Sequence, residues 1–224
     1  MDRKYYEAYD DRYRQVHGQD LQWFASTPSA IVGEILARYK IKDRMLEIGC
    51  GEGRDAGFLL ARGYDVLATD VSPAAIDYAR KRFSEFADRF QVLDCLTENL
   101  DEKFDFIYAV AVIHMLVLDE DRNGFYRFIR EHLAPGGMAL ICTMGNGEWE
   151  MQSDISTAFD VRKRIHEPTG REVEIAGTSC RMVSWETFRR ELAENGLDII
   201  ESGITAVEPD FPQMMYALVE KQKM

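Results

Sequence analysis

Two rhythms of apolar residues alternate along the chain. Short apolar runs at Arg44–Gly49, Tyr64–Thr69, Phe90–Leu93, Phe104–Val112 and Met138–Thr143 read as strands. The fourth run is apolar at nearly every position, as in a strand buried on both faces of a parallel sheet. Between the runs, apolar residues three and four apart mark helices. One carries Ile31, Val32, Ile35, Leu36 and Tyr39, with Thr27-Pro28 as its start. A second spans about residues 54–62 and stops at Gly63. A third follows the cap Ser72-Pro73 with Ile76, Ala79 and Phe83, and a fourth spans 121–133 with Phe125, Phe128, Ile129 and Leu133. This alternation predicts a doubly wound α/β sheet with right-handed crossovers.

The rhythm changes at both ends of that block. Residues 2–24 are polar except for steps at Tyr6, Tyr9, Tyr13 and Val16, closed by Trp23 and Phe24. Two readings stay open for this helix: packing on the domain surface, or a lid whose aromatics cover a ligand pocket. Residues 144–183 hold Gly145, Gly147, Pro168-Thr169-Gly170 and alternating Val173 and Ile175, which reads as an insertion with a β-hairpin. A helix from the cap Ser184, with Trp185, Phe188 and Leu192, ends near Asn195-Gly196. Residues 197–204 and 214–220 form a final strand pair. The expected organisation is one domain: a helical lid and first helix (1–40), a core (41–143), the insertion (144–183), and a closing helix and hairpin (184–224).

Composition narrows the function. A length of 224 residues with 46% hydrophobic content suits one α/β domain. The net charge of −12 argues against nucleic acid, which needs clustered Lys and Arg. The Arg-Lys-Arg run at 162–164 is too short to change this. Cys50, Cys95, Cys142 and Cys180 contain no Cys-x-x-Cys pair, so no metal site is expected and reduced thiols are. The start, Met-Asp-Arg-Lys-Tyr-Tyr, has no signal-peptide run, and no apolar stretch reaches membrane-spanning length. A cytoplasmic protein without a membrane partner is expected.

The chemistry concentrates in Met45–Asp55, where an apolar strand enters a loop with Gly49, Gly51 and Gly53 and a helix follows. Bare glycine backbone lets a ligand approach, and a helix start offers free N–H groups. A dinucleotide fingerprint needs its third glycine at position 54, which is Arg54; the glycine comes one residue early. Leu-Glu-Ile-Gly-Cys-Gly-Glu-Gly at 46–53, Asp70 after the second strand, Asp94-Cys95 after the third, Phe-Asp-Phe-Ile-Tyr-Ala-Val at 104–110 and Leu-Ala-Pro-Gly-Gly at 133–137 follow one another in order. This set, over about residues 44–143, resembles the class I S-adenosylmethionine-dependent methyltransferases.

The resemblance implies a Rossmann-like, seven-stranded, mostly parallel sheet with an antiparallel C-terminal hairpin, and S-adenosylmethionine as cofactor. It implies that Gly49, Cys50, Gly51 and Gly53 admit the ribose and methionine tail, with Glu47 shaping the loop. Asp70, followed by Val71, would accept from the ribose hydroxyls. Asp94 and the Cys95 amide would meet the adenine edge. Ala109 and Val110 would line the site, and Tyr13 and Trp23 would close over it. Methyl transfer chiefly requires positioning, and a general base only where the acceptor loses a proton. His114, just beyond the fourth strand, is the candidate base; a structural histidine bonded to backbone is the alternative. The acceptor site is expected from Tyr9, Tyr13, Trp23, Met144, Trp149 and 151–183, and a small-molecule acceptor is favoured because no Asn-Pro-Pro-Tyr motif follows the fourth strand. A nicotinamide-dependent oxidoreductase and a non-catalytic S-adenosylmethionine binder are the alternatives; oligomeric state is not legible.

Overall fold

The chain runs through α1 (Ala8–His17), α2 (Ala30–Tyr39), β1 (Met45–Ile48), α3 (Arg54–Leu60), β2 (Val66–Asp70), α4 (Pro73–Arg82), β3 (Phe90–Val92) and β4 (Phe104–Val110). It continues through α5 (Asp119–His132), β5 (Leu133–Met144), β6 (Met151–Gln152), β7 (Val161–His166), β8 (Arg171–Ala176), β9 (Arg181–Met182), α6 (Trp185–Glu194), β10 (Leu197–Val207) and β11 (Phe211–Lys221). The computed structural model describes residues 3–23, 27–166, 169–207 and 211–223, so Phe24 and Pro168 lie outside the described residues.

Seven strands form one sheet in the order β10-β11-β5-β4-β1-β2-β3. The five central and edge strands β1 to β5 pair in parallel, and β11 runs antiparallel to both β5 and β10. All four residues of β1 and all five of β2 are buried, as strands covered by helices on both faces must be. The chain leaves β1 towards β2 on one side and returns to β4 on the other. Their C-terminal ends therefore open a crevice at the point where the winding reverses, which is where such sheets bind ligands.

Several element ends differ from the sequence pattern for identifiable reasons. The helix expected at Thr27-Pro28 begins at Ala30, because the Ser29 amide and hydroxyl both donate to Asp55, at 2.7 Å each, and draw Ser29 out of a side-chain capping role. Ser72 and Ser184 do cap, accepting from Ala75 and Thr187. Strand β5 includes Pro135-Gly136-Gly137, yet its pairing with β4 advances from Leu133 to Met138 while β4 advances from Phe104 to Phe106, so those residues bulge out as a turn. The last two strands extend to Val207 and from Phe211, beyond the expected limits.

The insertion and the N-terminal helix make a joint roof. Strands β7 and β8 form the antiparallel hairpin, and β6 pairs with β9. Val173 and Ile175, alternate residues of β8, pack with Val16 and Leu21 in a small separate core. The alternation read from the sequence is thus a hairpin face laid on α1 rather than on the sheet. Among the described residues no helix is long and apolar enough to cross a membrane.

Gly57 lies inside α3, where a Cβ would meet the Phe83 ring at 2.2–2.6 Å. Gly57→Ala gains helix propensity but forces Phe83 to move. Overpacking of this kind costs about 1–3 kcal/mol, so a lower urea midpoint is expected; an unchanged or higher midpoint would refute the packing argument.

Candidate cofactor and acceptor site

A cleft opens over the C-terminal ends of β1, β2, β3 and β4. It is lined on one side by Gly49, Cys50, Gly51, Asp70, Asp94 and Cys95, and on the other by Tyr6, Tyr9, Tyr13, Met115 and Phe211. Its bounds take in about 1010 Å³ of space outside the atoms, open solvent included.

The floor is built by the β1–α3 loop. Gly51 has φ +52°, and a Cβ there would stand 2.6 Å from the Tyr13 hydroxyl of α1. Glycine is therefore required both by the backbone and by the roof. Gly53 has φ +77° and caps α3, but it faces inward: a Cβ would meet Phe90, Ala79 and Phe83. It shapes the loop from below and is absent from the cleft lining.

Asp70 ends β2 with its carboxylate held between two backbone amides. Gly51 N donates to Oδ2 and Ser72 N to Oδ1, both at 2.8 Å. Burial pushes its pKa up to about 6, against the pull of those two amides. Each oxygen keeps a lone pair for a further donor from the cleft. At the next strand end, Asp94 accepts from Tyr6 Oη and Thr97 Oγ1 at 3.0 Å each and from Leu96 N. Burial raises the Cys50 and Cys95 thiols well above the usual thiol range, so both are neutral small side chains here.

A third group of carboxylates lies under the glycine loop. Glu47 is buried and accepts from Tyr108 Oη at 3.1 Å; burial, then the charge of Asp55, holds its pKa well above the usual carboxylate range. Arg54 Nε donates to Asp55 Oδ1 and Nη2 to Ser29 Oγ. Glu52 accepts from Trp23 N at 2.7 Å and pairs with His17 Nε2 at 2.8 Å.

The roof is pinned at several points. Asp10 of α1 accepts from Ser72 Oγ and Ala74 N at the start of α4. Arg12 donates to the carbonyls of Ala176 and Gly177, and Tyr9 Oη donates to Ser179 O. The N-terminal segment thus packs on the domain and brings Tyr6, Tyr9 and Tyr13 to the cleft lining. Burial, followed by the charges of Asp70 and Glu52, raises the Tyr13 pKa, so its hydroxyl is a donor.

The structure brings Glu47, Gly49, Cys50, Gly51, Asp70, Val71, Asp94, Cys95, Val110 and Tyr13 to one cleft. Six expected residues are placed elsewhere. Gly53 faces the core as described. Ala109 is buried within β4, because the chain presents Val110, Ala111 and Val112 at the strand end instead. Trp23 lies behind the lid, its ring 5.0 Å from the Arg12 guanidinium carbon and 6.4 Å from the His166 ring. His114 does not face the cleft: the positive φ of Ala111 turns the chain, and the imidazole sits buried, 5.9 Å from the Phe211 ring, with Nδ1 unpartnered. Burial, with the charge of Arg122, lowers its pKa to about 3. Trp149 is 65% exposed, and neither it nor Met144 lines the cleft.

The sequence reading missed Arg54, Glu52 and Asp55, which adjoin the glycines and were available to it. It also missed Met115 and Phe211. Phe211 opens the last strand, and nothing local marks it as a site residue.

Residues 46–139 match the family model of a methyltransferase domain. The fold is that of the class I methyltransferases. A methyltransferase-type sheet is shared over most of its length with the glycopeptide N-methyltransferase MtfA, solved with S-adenosyl-L-methionine: TM-score 0.65, 22% identity, 88% of each chain covered. Over 122 residues the chain is 31% identical to the malonyl-(acyl-carrier protein) O-methyltransferase of Acetivibrio thermocellus, covering 54% of this chain and 41% of that one. Over 122 residues it is 36% identical to a protein named hemagglutinin 1 from Eikenella corrodens, covering 52% and 39%. The chain thus spans about two fifths of the length of these curated relatives.

Proposed function

We propose that the chain binds S-adenosylmethionine and transfers its methyl group to a small organic acceptor by in-line displacement. The observation that carries this reading is the placement of Asp70 and Asp94 at successive strand ends of one cleft, beside the bare backbone of Gly49 and Gly51. The residues fit the cofactor. Gly51 leaves room where a Cβ would occupy the space under Tyr13. Asp70 retains lone pairs for two ribose hydroxyls, and Asp94 with the Cys95 amide suits an amino-bearing ring edge. The cofactor supplies an activated methyl group on a sulfonium. The chain holds it by hydrogen bonds, excludes water with Tyr6, Tyr9 and Tyr13, and aligns the acceptor opposite the methyl. Membership of the cytoplasm and a small-molecule partner belong to this proposal.

Asp70 makes the reading testable through pH. A ribose donates hydrogen bonds to the carboxylate, so binding favours its charged form. The free protein holds this proton up to about pH 6, and binding expels it. Affinity for S-adenosylmethionine should therefore fall as pH drops from 7 to 5, by about tenfold if the bound carboxyl returns to its ordinary range. Calorimetry in buffers of different ionisation enthalpy reads both the affinity and the released proton. A pH-independent affinity removes Asp70 from the ribose, and stabilisation by NAD but not by S-adenosylmethionine removes the methyltransferase reading.

A further inference from the structure

We propose that the acceptor atom is an amine nitrogen, selected by a cleft that is negatively charged and aromatic. The inference rests on the methyl-transfer reading above. Five carboxyl groups line the cleft, Glu47, Glu52, Asp55, Asp70 and Asp94; burial pushes Glu47 towards its neutral form, so the other four supply the negative charge. Among the described lining residues the one basic side chain is Arg54, and its guanidinium already bonds Asp55 and Ser29. No lysine or histidine lines the cleft among the described residues. An acceptor carrying a carboxylate or phosphate would bring another negative charge into this low-dielectric space with no built cation to meet it, which disfavours its binding. An amine meets the opposite field. The rings of Tyr6, Tyr9, Tyr13, Phe125 and Phe211 add faces that attract a cationic nitrogen.

The reaction has the same preference. The bound ammonium first gives a proton to water, and the uncharged amine then attacks with its lone pair. The N–C bond forms while the C–S bond breaks, and that bond's electron pair stays on sulfur. One positive charge passes from sulfur to nitrogen within the same ring of carboxylates, and the ammonium then releases its proton to water. A hydroxyl acceptor would instead need its proton removed as it attacks. Glu52, Asp55, Asp70 and Asp94 already accept donors from the protein. His114, the nearest imidazole by sequence, lies behind Phe211 and is too weakly basic to serve.

The test uses the full chain and a matched probe set: benzylamine, N-methylbenzylamine, benzyl alcohol and benzoate. Binding of S-adenosylmethionine and S-adenosylhomocysteine is measured first by calorimetry; if neither binds, the methyl-transfer reading itself fails. The probes are then titrated into protein saturated with S-adenosylhomocysteine, and methylated products from S-adenosylmethionine are identified by mass spectrometry. The amines should bind at least about tenfold more tightly than the alcohol or benzoate, and any methylated product should carry the methyl on nitrogen. Met115→Lys, which adds a cation to the lining, should weaken the amines and strengthen benzoate. Equal or tighter binding of benzoate or benzyl alcohol, methylation of oxygen, or failure of both amines to bind at millimolar concentration overturns the amine assignment and leaves the methyl-transfer reading standing.

Discussion

Asp70→Ala should weaken S-adenosylmethionine binding at least tenfold, about 1.4 kcal/mol. In the proposed reading the carboxylate is the strand-end acceptor for the ribose, and a charge-assisted hydrogen bond is worth about 1.5–3 kcal/mol. Alanine also leaves the amides of Gly51 and Ser72 without their partner, so part of the loss comes from a loosened glycine loop. Asp70→Asn separates the two effects. It keeps an acceptor and the side-chain volume but removes the charge and the titration. Its affinity should fall, and the slope of affinity between pH 5 and 7 should vanish. Folding stability should move the other way. A carboxyl raised to about 6 in the folded state and near 4 in the unfolded one binds more protons when folded. Stability of the unliganded wild type therefore declines as pH rises from about 4 to 6, and Asp70→Asn removes that decline. Affinity unchanged in both variants would refute the role assigned to Asp70.

The largest stability effect is expected at Arg122→Met. Arg122 is almost wholly buried on α5, and Nε and Nη2 donate to Glu191 Oε1 at 2.8 Å and Oε2 at 2.7 Å. Nη1 donates to the carbonyls of Ile113 and Leu116. Tyr126 Oη adds a third bond to Glu191 at 2.7 Å. The pair thus ties α5 and α6 to the turn after β4, whose Met115 and Leu116 line the cleft. Removing the guanidinium leaves a buried carboxylate and two carbonyls without partners, a loss of about 3–5 kcal/mol, or roughly 6–20 °C in Tm for a chain of this size. The double variant Arg122→Met, Glu191→Met should recover much of the loss, because no buried charge remains. Additive losses in the double variant would show that the pair is not coupled.

Sequence and structure divide along the range of the interactions involved. The strand–helix alternation, the glycine loop and the acidic strand ends at Asp70 and Asp94 were legible because each depends on residues within one turn or strand. Gly49, Gly51 and Asp70 belong to one β-α-β unit, so naming the loop already placed the acid beside it. The helix start at residues 27–30 was misjudged because Ser29 answers to Asp55, a neighbour from another element. His114 stood in the right stretch, but one residue with positive φ, Ala111, decided which way it faces, and no local pattern announces that turn.

What the sequence by itself determined is the floor of the cleft: the sheet, the glycine loop and the carboxylates at its edge. Only the tertiary structure decided the roof. Tyr13 reaches Gly51 because Val16 is packed under Val173 and Ile175, residues far along the chain, and Phe211 enters from the last strand. Such contacts carry no local periodicity; they follow from how α1, the β7–β8 hairpin and β11 bury their apolar faces together. The charge balance inside the cleft, five carboxyl groups and one guanidinium already engaged, is likewise a sum over distant segments. It becomes visible only once folding has brought them to one space.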